Sequence, residues 1–435
     1  MVLLAILRAF GMPSMGAPAS TMPATEPTAD VNPALPNIPN HSFNLQDFGG
    51  VGDGKTWNTE AFKKAIAAIN QQGGGQLIVP EGTYLTGPIT LCSSLDLHLD
   101  SGAIIQAPET FADAGLPQPE TFNNQQDVLR QVRPTTFIQG QDLHDVAITG
   151  DGIIDGAGAH WWAWSERVAR AHPGRISYPR PKLVTIRNCN RFHVDGVTLR
   201  NSPQFHLVPY DTTDLVIEHV KISAPFDAPN TDAIDPSACV NVLIRDCDLD
   251  VGDDDVAIKG GGLVNHVLIE DCRIKHGHGI SIGSETVGGV RDMLVRRCTF
   301  DQTDNGIRIK SMRGAGGMVE NIRYSDIQMK NVDAAIVLDL LYMDNNRPNF
   351  RGDPTKIPSI KNVRIDHLKI DNSRSAGRIV GLPDSPISDV TLNDVQITAD
   401  SDLVFQNTDR VVLNRVSVTI KNAERQSTTK ATTTP

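Results

Sequence analysis

The chain has 435 residues, 40% of them apolar, enough to bury a large core without covalent staples. A formal net charge of −11 argues against a nucleic-acid partner. No stretch reaches the ~20 consecutive apolar residues that a membrane-crossing helix requires.

Residues 1–40 carry no repeat. MVLLAILRAFGMPSMGAPAS is a weak secretory signal: its apolar run is interrupted by Arg8 and no charged leader precedes it. The following stretch to Asn40 is rich in Pro, Ala and Thr and predicts a flexible linker. A catalytic domain is expected over 41–424, followed by a disordered tail at 425–435. Within NTEAFKKAIAAINQQGGG (58–75), Ala61, Phe62, Ala65, Ile66 and Ile69 make an apolar helical face. Asn58 is the candidate N-cap and the glycines end the helix, the one convincing helix in the chain. A helix over 58–71 would cover the exposed first strand of a solenoid.

From about residue 146 a pattern V-x-I-x-x-C/V-x-I recurs. Clear copies include FHVDGVTL (192–199), VLIRDCDL (242–249), VLIEDCRI (267–274) and VTLNDVQI (390–397). Its sixth position falls at Val197, Val220, Cys247, Cys272, Cys298, Ile327, Leu368, Val395 and Val416, with separations of 23, 27, 25, 26, 29, 41, 27 and 21. Short period-two runs predict strands, and Asn, Asp and Gly between them supply turns. A period in the mid-twenties without intervening helices predicts an all-β right-handed parallel β-helix of about ten coils. The separation of 41 is accounted for by a loop at 342–359, an excursion of the kind that borders a functional face. Insertions at 107–135 and 165–180 would wall off one end of a groove and give terminal cleavage; an open groove is the alternative. The sequence HWWAW (160–164) reads equally as a sugar-stacking platform or as packing.

Six cysteines, at 92, 189, 239, 247, 272 and 298, are an even number. Three of them share a repeat column with Val, Ile and Leu, which predicts a buried apolar ladder in place of a disulfide framework.

The chemistry lies in NTDAID (230–235), GDDDVAIK (252–259), GHGISIG (277–283) and NGIRIK (305–310). Two residues before the first apolar position of each short strand stand Asp232, Asp254, His278 and Asn305. Stacked strands lie about 4.8 Å apart, so this column would form one compact site. The acidic stretch from Asp246 to Asp255 could be a solvated edge, a calcium site or a catalytic centre. Carboxylates packed this closely cannot all ionise easily, so at least one pKa should be raised, as glycoside hydrolysis needs. His278 lies between Gly277 and Gly279, which would allow another molecule to approach the backbone. Arg308 and Lys310 alternate with Ile307 and Ile309, so they point outward, there to neutralise the acids or to hold an anionic substrate.

These four segments, in this order and spacing, resemble the signature segments of the polygalacturonase family of pectin-degrading glycoside hydrolases. GGGQLIVPEGTYLTGPITL, GDGIIDGAGAHWW and NSPQFHLVPY resemble its earlier stretches, so the likeness covers roughly 44–420. It implies inverting hydrolysis of α-1,4-galacturonosyl bonds by a metal-independent enzyme with no cofactor. By motif, Asp253 corresponds to the general acid, Asp232 and Asp254 to the carboxylates that activate water, and His278 to their support. Asn230, Arg308, Lys310 and Tyr342 correspond to substrate-binding positions, the basic pair holding the galacturonate carboxylate. The GHG segment favours homogalacturonan. The implied partner is an acidic polysaccharide, met by a monomer in a secreted or periplasmic location. The alternatives are a calcium-dependent pectate lyase and a non-catalytic carbohydrate-binding β-helix.

Overall fold

The computed structural model describes residues 31–117, 124–171, 179–342, 353 and 355–421. The predicted signal segment, the tail at 425–435 and most of the loop at 342–359 lie outside them, as do 118–123 and 172–178 of the two insertions.

The chain winds as a right-handed parallel β-helix, with every strand-to-strand ladder parallel. One coil is three short strands, for example Val240–Arg245, Asp248–Val251 and Val256–Ile258; the next is Val264–Glu270, Arg273–His276 and Ile280–Ile282. The third strands of successive coils carry the site: β1 (Val256–Ile258), β2 (Ile280–Ile282) and β3 (Asn305–Lys310).

Register follows the repeat. Val194 pairs with Ile217, which pairs with Ile244, then Ile269, Val295, Tyr324, Ile365, Leu392 and Leu413. These third-position side chains form one interior stack, and all but the last are buried. The fifth position is where the chain turns: His219, Asp246, Asp271, Arg297, Asp326, His367, Asp394 and Arg415 all have φ between 50° and 57°. This left-handed turn explains the polar fifth residue and returns the sixth to the core. There Cys247, Cys272 and Cys298 are buried and unpaired, stacked as the ladder predicted.

Helix α1 (Thr59–Gln71) buries Ala61, Phe62, Ala65, Ile66 and Ile69 in the same core as Leu45, Leu77 and Ile89. Asn58 precedes it but does not cap it through its side chain. Its Oδ1 instead accepts from the Val51 amide at 2.7 Å, and its Nδ2 donates to carbonyls of Thr56 and Leu85, tying the incoming loop to the first coils. Two further helices, α2 (Gln125–Gln131) and α3 (Ala159–Ala171), correct the expectation of a single one. Both lie in the insertions, where helix formation depends on tertiary packing: Phe111, Val128, Val132, Trp161 and Trp164 form a separate apolar cluster. That settles most of the HWWAW segment as packing, while Trp162 donates its indole N–H to the Ser202 carbonyl at 3.1 Å. Residues 31–40, read from composition as linker, lie along the coils instead. The Asn37 amide donates to Asp145 at 2.7 Å, and Val31 packs on an outward stripe of Val216, Leu243, Leu268 and Leu294.

Candidate active site

The column predicted from spacing exists. Ile234 bridges to Val256, Val256 pairs with Ile280 and Ile280 with Ile307, so Asp232, Asp254, His278 and Asn305 occupy one position of successive coils. The GDD and GHG segments are the turns leading into β1 and β2.

Asp254 is almost wholly buried yet fully engaged. Its Oδ1 accepts from Ser281 at 2.8 Å and Arg308 at 3.1 Å, and its Oδ2 from Lys310 at 2.7 Å. The outward-pointing cations of β3 therefore neutralise the acid directly. Tyr342 lies beside them, its ring 5.5 Å from both the Arg308 guanidinium and the Lys310 ammonium. Asp253 stands next to the column, with His278 Nδ1 3.1 Å from its Oδ1 and Asn230 Nδ2 3.2 Å from its Oδ2. Asp232 lies 3.2 Å from the Lys259 ammonium through Oδ2, while its buried Oδ1 has no partner.

The acids titrate apart. Burial raises Asp232 well above the usual carboxylate range, with the Asp235 charge adding to it. Burial also raises Asp235, to about 7, against the opposing pull of Lys259. Burial pushes Asp253 up too, but the hydrogen bond and charge of His278 outweigh it and hold Asp253 at about 2. The same hydrogen bond raises His278 above its ordinary value. The pair therefore carries one proton, resting on the imidazole in the free protein.

The glycines around His278 serve the chain itself, which corrects the expectation that they admit another molecule. A Cβ on Gly277 would lie 2.4 Å from the Asp255 carboxylate. Gly279 has φ +80°, and a Cβ there would meet the Asn305 carbonyl at 2.2 Å.

Several contributing residues were not singled out by sequence reading. Lys259 bridges Asp232 and Asp235, 3.2 Å from each. Asp304 lies 3.2 Å from His278 Nε2, so the imidazole is held on both nitrogens. His206 is fully buried, and burial lowers its pKa to about 4. Since its Nε2 accepts from the Ser202 amide at 3.2 Å, its Nδ1–H donates to the Asp232 carbonyl at 3.1 Å and fixes that backbone. Arg180 donates to the Pro203 and Pro229 carbonyls at 2.9 and 2.6 Å and to Asn230 at 2.8 Å, so it positions the partner of Asp253. Extending the column backwards through the register would have pointed to this neighbourhood, because Phe205 and Lys182 occupy its earlier positions.

Asp253, Asp254 and His278 bring donor atoms within 4.8 Å of one another, a spacing that could suit a cation. The donor set fits calcium poorly: Asp254 is already occupied by Ser281, Arg308 and Lys310, and a hard cation prefers six or more oxygens.

A parallel β-helix with clustered acids, a histidine–aspartate proton pair and a flanking arginine–lysine pair defines a polysaccharide hydrolase. The chain belongs to the Glycosyl hydrolases family 28, whose profile it matches over residues 70–420. It is 33% identical to a probable polygalacturonase of Vitis vinifera over 82% of this chain and 74% of that one. It is 30% identical to an endo-polygalacturonase of Pectobacterium carotovorum subsp. carotovorum, over 78% and 85% of the two chains. Among solved structures, a hyperthermoactive exopolygalacturonase of Thermotoga maritima superposes with TM-score 0.73 at 30% identity, covering 88% of this chain and 94% of that one.

Proposed function

We propose that the chain hydrolyses the α-1,4-galacturonosyl bonds of polygalacturonate with inversion, Asp253 being the general acid and Asp232 and Asp254 the carboxylates that activate water. The observation that carries this reading is the one-coil register of Asp232 and Asp254, which places two chemically different carboxylates beside the Asp253–His278 pair. Asp254, saturated by Ser281, Arg308 and Lys310, is a fixed negative charge that orients water and offsets the positive charge developing on the sugar ring. The unpartnered Oδ1 of Asp232 is the acceptor left for the attacking water, and its raised pKa makes it the better base.

The proton for the leaving oxygen comes from the Asp253–His278 pair. The imidazole holds it in the free protein and returns it to Asp253 as the glycosidic oxygen approaches. Arg308 and Lys310, beside Tyr342, present an arginine fork and an ammonium to the galacturonate carboxylate, which lets an acidic protein hold an acidic polymer. Such a substrate places the enzyme outside the cytoplasm, secreted or periplasmic, acting as a monomer without metal or cofactor.

Incubation with polygalacturonate followed by assay of reducing ends tests the activity, and NMR of the first-formed product tests the stereochemistry. The β anomer is expected. An α product excludes inversion, and ultraviolet-absorbing unsaturated products lost on chelation would favour the lyase reading.

A further inference from the structure

The column does not stop at Asp232. Leu207 bridges to Ile234 and pairs with Val184, which pairs with Ile138, so the positions before Asp232 are Phe205, Lys182 and Thr136. In a second column Arg187 pairs with Tyr210, which bridges to Ser237 and then Lys259. Here the protein opens a cavity of about 370 Å³ lined by Arg180, Lys182 and Arg187 with Gln139, Thr185 and Gln204, and no Asp or Glu lines it. In a chain of net charge −11, an acid-free pocket with three cations is a local inversion of sign.

Among the described residues, neither Lys182 nor Arg187 lies within ion-pair distance of a carboxylate. Lys182 instead rests 5.1 Å from the Phe205 ring centre and Arg187 5.0 Å from that of Tyr210. Lys259, on the acid side, lies 4.6 Å from the same Phe205 ring, which therefore separates the pocket's cations from the catalytic acids. Burial lowers the pKa of Lys182, and the nearby Arg187 and Lys259 charges lower it further. Converging cations without counter-ions repel each other, and an anionic group among them would relieve that repulsion.

We propose that the pocket of Arg180, Lys182 and Arg187 is a second carboxylate-binding subsite, which takes a galacturonate unit about two coils N-terminal to the cleavage point. Resting on the proposed polygalacturonase activity, this assigns the two basic regions to opposite sides of the scissile bond. Arg308 and Lys310 lie on the C-terminal side of Asp254, and this pocket on the N-terminal side of Asp232. The two-coil offset is about 10 Å, so one ligand reaching both the acids and the pocket must carry carboxylates at intervals, as an oligogalacturonate does. Guanidinium forks and a mobile ammonium, with amide and hydroxyl side chains around them, suit a sugar carboxylate. Arg180 joins the subsite to the chemistry, since it also donates to Asn230, the partner of Asp253.

The test uses Lys182→Gln and Arg187→Gln, singly and together, with Arg180 left intact because it positions Asn230. Turnover is measured on digalacturonate and on longer oligogalacturonates. Binding of the long oligomers is measured separately by calorimetry in an Asp253→Asn background, which needs no turnover. For the double variant KM and Kd on long oligomers should rise about tenfold or more, with kcat within about twofold and the digalacturonate KM unchanged. High salt should erase much of the wild-type advantage. An unchanged KM and Kd on long oligomers, with the wild type active, overturns the subsite alone. Wild type that neither cleaves nor binds any oligogalacturonate overturns the activity on which it rests, and the subsite with it.

Discussion

Two histidine–carboxylate clusters in this molecule use the same donors for different ends. Asp253, Asp254 and His278 form one, and His193, Asp195 and Glu218 the other, each with donor atoms within 4.8 Å of one another. The second lies on a flat strand face whose register runs Asp195, Glu218, Arg245, Glu270, Arg296. From Glu218 onward charge alternates coil by coil. Glu218 accepts from Arg245 at 2.6 Å and Glu270 from Arg296 at 2.7 Å. In the first cluster like charges follow each other: Asp232 and Asp254 are consecutive, and their cations come from other columns. A solenoid ladder is cheapest when neighbours alternate in sign. A run of like charge is therefore where chemistry is expected, and an alternating run is where stability is.

The largest contrast should appear in Asp253→Asn against Glu218→Gln. The first should lower turnover of polygalacturonate by about 10²–10⁴-fold with an unchanged melting temperature. The second should leave turnover within about twofold and cost about 1–3 kcal/mol, read by urea unfolding. Equal losses of activity would break the comparison. Removing a cation should separate the clusters again. Lys310→Met leaves the buried Asp254 with one cation fewer and should destabilise by about 3 kcal/mol, whereas Arg245→Met, at a half-exposed pair, should cost about 1 kcal/mol. Gly279→Ala, forced to hold φ +80° against the Asn305 carbonyl, should cost about 1–3 kcal/mol and lower activity by displacing His278.

The smallest effect is a pH shift. The raised pKa of His278 keeps the pair's proton in place as pH rises past 6.5, so the alkaline limb of kcat/KM in wild type should lie above 6.5. His278→Gln removes the group that holds Asp253 at about 2, so the Asp253 pKa rises. The proton is then lost in the ordinary carboxylate range, and the alkaline limb moves down towards about pH 4. An unmoved limb would remove His278 from the proton pathway.

The primary structure by itself determined the coil, because a repeat of mid-twenties period with interior positions one, three and six can bury them together only by stacking. It determined the column as well, since stacked register converts equal repeat position into adjacency: Asp232, Asp254 and His278 were legible for that reason. The helices α2 and α3 were not, because Phe111, Trp161 and Val128 meet only through a fold-wide contact. Nor was the resting place of the proton, the neutralisation of Asp254 by both Arg308 and Lys310, or the sign-inverted pocket at Lys182 and Arg187. These depend on burial and on distances of a few ångströms between side chains from different columns. Electrostatic energy varies steeply with both, so only the tertiary structure could decide them.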